Sequence, residues 1–163
     1  MNRRLRAMLR VVAIVLLFGS SALGGDTARR ASSNPADVVR AFYTYHFAHD
    51  MGFSEASVRE RSVWLAPELV DLCHAYFQKP VRPGEVPDVD GDPFTDSQEY
   101  PKSFSVGKPS VSDTIVRVPV TLSWPDHHRT IRVQLQVVNG SWRITNIAYG
   151  GLRSLRTLLS SGS

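Results

Sequence analysis

The densest chemistry in this 163-residue chain is Asp88-x-Asp90-Gly91-Asp92-Pro93-Phe94-Thr95-Asp96-x-x-Glu99. Its carboxylates occupy positions one, three, five, nine and twelve of a calcium-loop pattern, and hard oxygen ligands at that spacing can surround Ca²⁺. Two positions break the pattern. The turn position that requires glycine is Pro93, and the usually aliphatic eighth position is Thr95. For Asp88, Asp90, Asp92, Asp96 and Glu99 the preferred reading is therefore a solvated acidic loop stiffened by proline and Asx-turns, with calcium the alternative and no other cofactor implied. In the same loop Phe94 can tuck inward while Asp92 or Asp96 caps the turn and Gln98 bonds backbone. Asp92, Phe94, Asp96 and Gln98 then form either a latch or the rim of a pocket.

The histidines give a second constellation. His46-x-x-His49 places two imidazoles on neighbouring turns of a helix, a spacing that can chelate zinc, but a third ligand would have to come from His74, His127 or His128 by folding. An imidazole near a helix C-terminus, interacting with the dipole, is the preferred reading. His46 with Tyr45 also forms the one acid–base pair suited to a pocket between helix and sheet. No carboxylate falls on the apolar strand face, and the chain has no Gly-x-Ser-x-Gly, phosphate loop or nucleotide fingerprint. Cys73, the single cysteine, lies among Leu69, Leu72 and Tyr76 and reads as a small buried hydrophobe.

These residues are positioned by a few clearly marked elements. Asn34 caps a first helix with Pro35 at its start, and Val38, Phe42, Tyr45 and His49 form its expected buried stripe, flanked by Val39 and His46. Ser54 opens a second helical stretch. Pro67 opens a third that Pro80 stops. Between Pro80 and Pro101 no period survives, and an irregular segment of that length is more often functional than incidental. Phe104 and Val106 mark a short strand, and Val116 to Trp124 alternate as a half-buried strand in which Pro119 requires an edge or bulge. Pro125 to His128 turns the chain back, with Leu122 expected opposite Ile131 or Val133. Asn139-Gly140 specifies a two-residue hairpin that pairs Val138 with Ser141, Val137 with Trp142 and Leu135 with Ile144. One face then carries Val133, Leu135, Val137, Trp142 and Ile144; the other carries Gln134, Gln136, Arg143 and Thr145. Leu152, Leu155, Leu158 and Leu159 are spaced for a terminal helix.

Charge and termini narrow the setting. Arg3, Arg4, Arg6 and Arg10 precede an apolar run, and Ala22 and Gly24 suit a signal-peptidase site, so residues 1–24 read as a signal peptide, 25–33 as a flexible linker and 34–160 as one domain. Val11 to Leu23 is shorter than the roughly 20 residues of a membrane span, and no cysteine stands at the cleavage point to carry a lipid. The expected location is therefore the periplasm or outside the cell, without a stable membrane anchor. The formal charge of +4 comes from the leader, because beyond Gly24 there are 15 basic and 15 acidic residues. Nucleic acid is not an expected partner.

Asp92-Pro93-Phe94-Thr95-Asp96-Ser97-Gln98, together with Trp142-Arg143-Ile144-x-x-Ile147-x-Tyr149, Leu152 and Leu155, resembles the bacterial family called domain of unknown function 3828. That resemblance implies a nuclear-transport-factor-2-like fold, a cone of curved antiparallel sheet packed on N-terminal helices. It also implies an exported domain with an apolar pocket, and relatives on such cones include enzymes, ligand binders and dimerisation units, so fold alone does not choose among them. The expected function is a non-catalytic binding module for a small apolar ligand or an envelope protein, with Phe42, Tyr45, His46, Trp124 and Trp142 near the pocket. A calcium-dependent module using residues 88–99 and a pocket enzyme using His46 and Tyr45 are the alternatives. The polar sheet face, with Arg117, Arg132 and Arg143, is the place for a two-fold homodimer.

Overall fold

The computed structural model describes residues 34–80 and 89–161. The proposed leader and linker, and Asp88, lie outside the described residues. Helices come first and an antiparallel sheet follows, so the domain is α+β. Helix α1 (Pro35–Ala48) starts where the Asn34 side chain accepts from the Ala36 N–H at 3.0 Å, and α2 (Glu55–Arg61) opens with a reciprocal cap between Ser54 and Ser57. Helix α3 (Pro67–Phe77) has no side-chain cap. Its entry is fixed by the sheet instead, because Ala66 N–H donates to Ile144 O at 2.8 Å and Ile144 N–H donates to Trp64 O at 2.8 Å.

The sheet holds β1 (Ser103–Val106), β2 (Ser110–Ser112), β3 (Ile115–Ser123), β4 (His128–Val138), β5 (Ser141–Gly150) and β6 (Arg153–Ser154), in the order β1-β3-β4-β5-β6, with β2 also on β3. Asn139 and Gly140 take φ of 50° and 75°, and the hairpin register is the one their spacing dictates. Further along, Leu135 pairs with Ile144 but Gln134 pairs with Asn146, leaving Thr145 as an extra residue. This bulge brings Ile147 opposite Val133, so Ile144 and Ile147, three apart, are both buried. Pro119 sits where β1 has ended and β2 has not begun, so its missing N–H removes no edge hydrogen bond.

Three expectations are corrected. Leu122 pairs with Arg129 and not with Ile131 or Val133, because Trp124 N–H donates to His127 O at 2.8 Å and closes a tighter turn. Side-chain parity is kept, so the apolar face survives and Arg129 joins it. On α1 the buried stripe is Val38, Val39, Phe42, Tyr43 and His46; Tyr45 and His49 stack on each other outside it, with ring centroids 3.8 Å apart. The helix turns this way because His46, unlike His49, finds buried polar partners. Finally, Leu152 is 96% exposed and precedes the terminal helix α4 (Leu155–Ser160), whose cap is Ser154 with Thr157.

The core lies between helices and the inner sheet face, where Val118, Val120, Leu122, Ile131, Val133 and Leu135 are fully buried. Among the described residues no helix is long and apolar enough to cross a membrane. Gly140→Ala forces a side chain into left-handed backbone at about 1–2 kcal/mol, and Asn139→Ala loses the residue type that tolerates that region. The double variant should keep its circular dichroism spectrum and lose roughly 2 kcal/mol in urea unfolding.

Candidate functional site

The acidic loop and the first two helices meet in one buried polar chain. Arg61, fully buried at the end of α2, donates through Nε to His46 Nδ1 at 2.8 Å, and His46 Nε2 lies 2.8 Å from Asp92 Oδ2. An arginine nitrogen can only donate, so Nδ1 bears no proton and the imidazole donates from Nε2 to the carboxylate. The other guanidinium nitrogens are engaged as well, with Ser57 O at 2.9 Å and Asp50 O at 2.6 Å. Asp92 further accepts from Phe94 N–H at 2.9 Å and from the Thr95 hydroxyl. A cation and an anion are thus joined through a neutral imidazole, and each has its hydrogen-bonding capacity used inside the protein.

The rest of the loop is held as a latch. Phe94 is buried with its ring 5.4 Å from both Phe42 and His46, the Tyr43 hydroxyl donates to Phe94 O at 2.8 Å, and the Tyr149 hydroxyl donates to Pro93 O at 2.5 Å. Gly91, at φ 91°, passes so close to Ser97 that an added Cβ would stand 2.3 Å from its carbonyl oxygen. Asp96 takes Arg129 at 2.9 Å and Arg153 at 3.0 Å. Asp90 takes the Gln98 amide, a side chain where backbone was expected.

These carboxylates therefore answer to separate donors. Asp90, Asp92 and Asp96 line one small cleft of ≈ 280 Å³ together with Gln98, Arg129 and Arg153, and among the described residues no three His, Cys, Asp or Glu side chains gather as a metal site. His49 bonds Tyr45 O at 2.7 Å, away from His46. His127 pairs with Asp126 in an exposed turn.

Of the residues expected around an apolar pocket, Phe42 and His46 do meet, but Phe94 is packed against them both. Tyr45 lies outside them, with its hydroxyl 3.3 Å from Glu60. Trp124 is at the turn between β3 and β4, stacked on His127 at 4.5 Å and donating from Nε1 to Glu99 O at 2.7 Å. Trp142 is half-buried against the edge of the core, next to the β4–β5 hairpin. There it lines an open groove of ≈ 730 Å³ with Glu68, Ile115, Gln134, Gln136 and Val137.

Neither buried thiol nor buried phenols are poised for reaction. Burial pushes the Cys73 thiol up to about 12 and raises Tyr43 and Tyr149 well above the usual phenol range, with the Asp92 charge adding to both phenols. His46 has both ring nitrogens occupied and no exposed surface, so it has no lone pair to offer a substrate.

Sequence reading missed Arg61, Tyr43 and Arg129, and singled out Tyr149 only as part of a family-like motif. Two left a signal: Arg61 falls three after Val58 and four before Leu65, on an apolar helical stripe, and Arg129 shares strand parity with Ile131 and Val133.

No family model matches the chain, and no curated protein matches it significantly. Two solved structures are similar in fold. Both are crystal structures of the type VI effector–immunity complex Tae3–Tai3 from Ralstonia pickettii, one native and one with selenomethionine. A chain of the native complex matches at TM-score 0.54 and 22% identity, covering 74% of this chain and 98% of its own length. In the selenomethionine form the values are 0.53, 21%, 73% and 98%.

Asp92→Ala leaves the buried His46 N–H and the Thr95 hydroxyl without their anion and the Arg61 charge with only the exposed Glu60 at 3.9 Å, so it should cost about 3–5 kcal/mol, seen as a melting point lowered by roughly 10 °C or more. A second expectation concerns alkaline pH. Phenols whose folded pKa lies above the unfolded value of 10.0 keep their protons in the native state only, so their contribution is complete below pH 10 and is lost as pH rises beyond it. Stability should fall above pH 10 by about 1.4 kcal/mol per pH unit for each of Tyr43 and Tyr149. In absorbance at the phenolate band, two of the tyrosines should titrate only with unfolding.

Proposed function

We propose that this chain is an exported protein-binding module that recognises a partner protein in the cell envelope and neutralises it by covering it. The observation that carries the reading is that the inward chemistry is closed: His46, Asp92, Arg61 and Cys73 are buried and satisfied or inert, which leaves the surface as the working part. The fold likeness to chains of an effector–immunity complex supports it, and an immunity role is the specific form proposed here.

The leader-like N-terminus supports export to the periplasm or beyond. The antiparallel sheet that follows three N-terminal helices supports the nuclear-transport-factor-2-like cone that the family resemblance implies. An envelope protein is a better occupant than a small apolar ligand. The groove at Trp142 is open and mixes Gln134, Gln136 and Glu68 with Ile115 and Val137, whereas a small ligand is held by an enclosed and mainly apolar cavity.

A strain lacking the chain should lose viability when grown in contact with sister cells that deliver envelope-acting effectors. The exported chain should restore survival and a leaderless copy should not. Equal survival of the deleted and complemented strains would remove the proposal.

A further inference from the structure

The mature chain is neutral as a whole, but its charges are segregated. From Asn34 to Lys102 there are six basic and twelve acidic residues, whereas from Ser103 to Ser161 there are seven basic and two acidic. Strands β3, β4 and β5 contain no Asp or Glu at all. Of their four arginines, Arg129 belongs to the inner face and is engaged with Asp96.

Arg117, Arg132 and Arg143 belong to the opposite face, and no described ion pair includes any of them. Register places them together. Arg117 pairs with Gln134, Arg132 is two residues before Gln134 on the same strand face, and Arg143 pairs with Gln136. Directly paired side chains stand about 5 Å apart at Cβ and diagonal ones about 7–8 Å, so the three arginines share one patch of this face, Arg143 with its Nη1 donating to Trp142 O at 3.2 Å. Gln134 and Gln136 are also walls of the ≈ 730 Å³ groove, in which Trp142 and the 56% exposed Val137 supply apolar contact. The groove's aromatic and aliphatic end thus adjoins the arginine face through Gln134 and Gln136, and its own charged walls are Glu68 and Arg156. That combination suits a protein segment anchored by an apolar side chain among carboxylates.

A second copy of this chain does not suit the same face. A two-fold contact would bring Arg117, Arg132 and Arg143 of both copies together with no carboxylate on β3, β4 or β5 to separate them, and like charges opposed across an interface are unfavourable.

We propose that the outer face of β3, β4 and β5 is the docking surface for the partner, and that the partner presents an acidic protein segment to Arg117, Arg132 and Arg143. This rests on the protein-binding reading above and names the chemistry of the partner. Association is steered by charge, so its rate falls with added salt.

The test places a photo-crosslinking benzophenone residue at position 132 on this face, or at position 40 on the exposed side of α1, in the full chain expressed in its own host. Crosslinked protein is identified by mass spectrometry, and the partner from position 132 is purified and titrated against the unlabelled chain. The expected result is one protein crosslinked through an acidic segment at position 132. Its association rate should fall about tenfold on Arg132→Glu and further on Arg117→Glu with Arg132→Glu, and should be restored when the facing carboxylate of the partner is changed to lysine. Arg40→Glu, as a folded control with the same charge change, should leave the rate unaltered.

A partner found only from position 40 would overturn the assignment of the face while leaving the protein-binding reading intact. No partner from either position would overturn both. A second copy of this chain, a nucleic acid, or a partner whose rate ignores Arg132→Glu would also overturn the assignment.

Discussion

The fold depends on the contact between Asp92 and His46, 2.8 Å apart and wholly out of water. A carboxylate in that position is costly unless its charge is answered, and here the answer comes from Arg61 through the imidazole. Neither helix could bury its polar residue alone. Arg61 requires α1 to present His46, His46 requires the loop to present Asp92, and Asp92 requires the turn at Gly91 to bring Phe94 N–H and Thr95 back to it. What resembles three separate chemical features in the sequence is one cooperative unit.

That unit also fixes how the carboxylate of Asp92 is used within the acidic loop. Carboxylates spaced along a loop can gather around one ion or disperse to several donors, and spacing alone does not distinguish the two. In this chain the donors lie far away in sequence: His46 for Asp92, Arg129 and Arg153 for Asp96. The Asp92 to Gln98 segment works as a latch over the helices, with its aromatic residue inside.

Local signals were legible where the cause is local. Asn34 with Pro35 and the Asn139-Gly140 turn acted as their chemistry requires, and the hairpin turn fixed the register of every pair up to Leu135 with Ile144. The extra Thr145 was not legible, since a bulge is chosen by what Ile147 must pack against. Arg61 and Arg129 were not recognised as interior because a buried cation is explained only by its partners, and the side chains they meet, His46 and Asp96, are 15 and 33 residues away. His46 was placed on the inner side of α1 but for a pocket, and although Phe94 was read as able to tuck inward, nothing in the sequence says that its ring packs against Phe42 and His46.

The two tyrosine-anchored carbonyls tie the middle of the chain to its ends. Tyr43 reaches Phe94 across 51 residues, Tyr149 reaches Pro93 across 56, and Lys79 reaches Leu159 O across 80. Contacts of such separation are entropically costly to close and yield little until several close together. The helices therefore cannot settle as a subdomain ahead of the sheet: until β5 is in place, Ala66 lacks its acceptor on Ile144 and the loop lacks Tyr149. A chain shortened before its last long strand should behave as an unfolded polymer open to proteases along its whole length, not as a smaller folded protein.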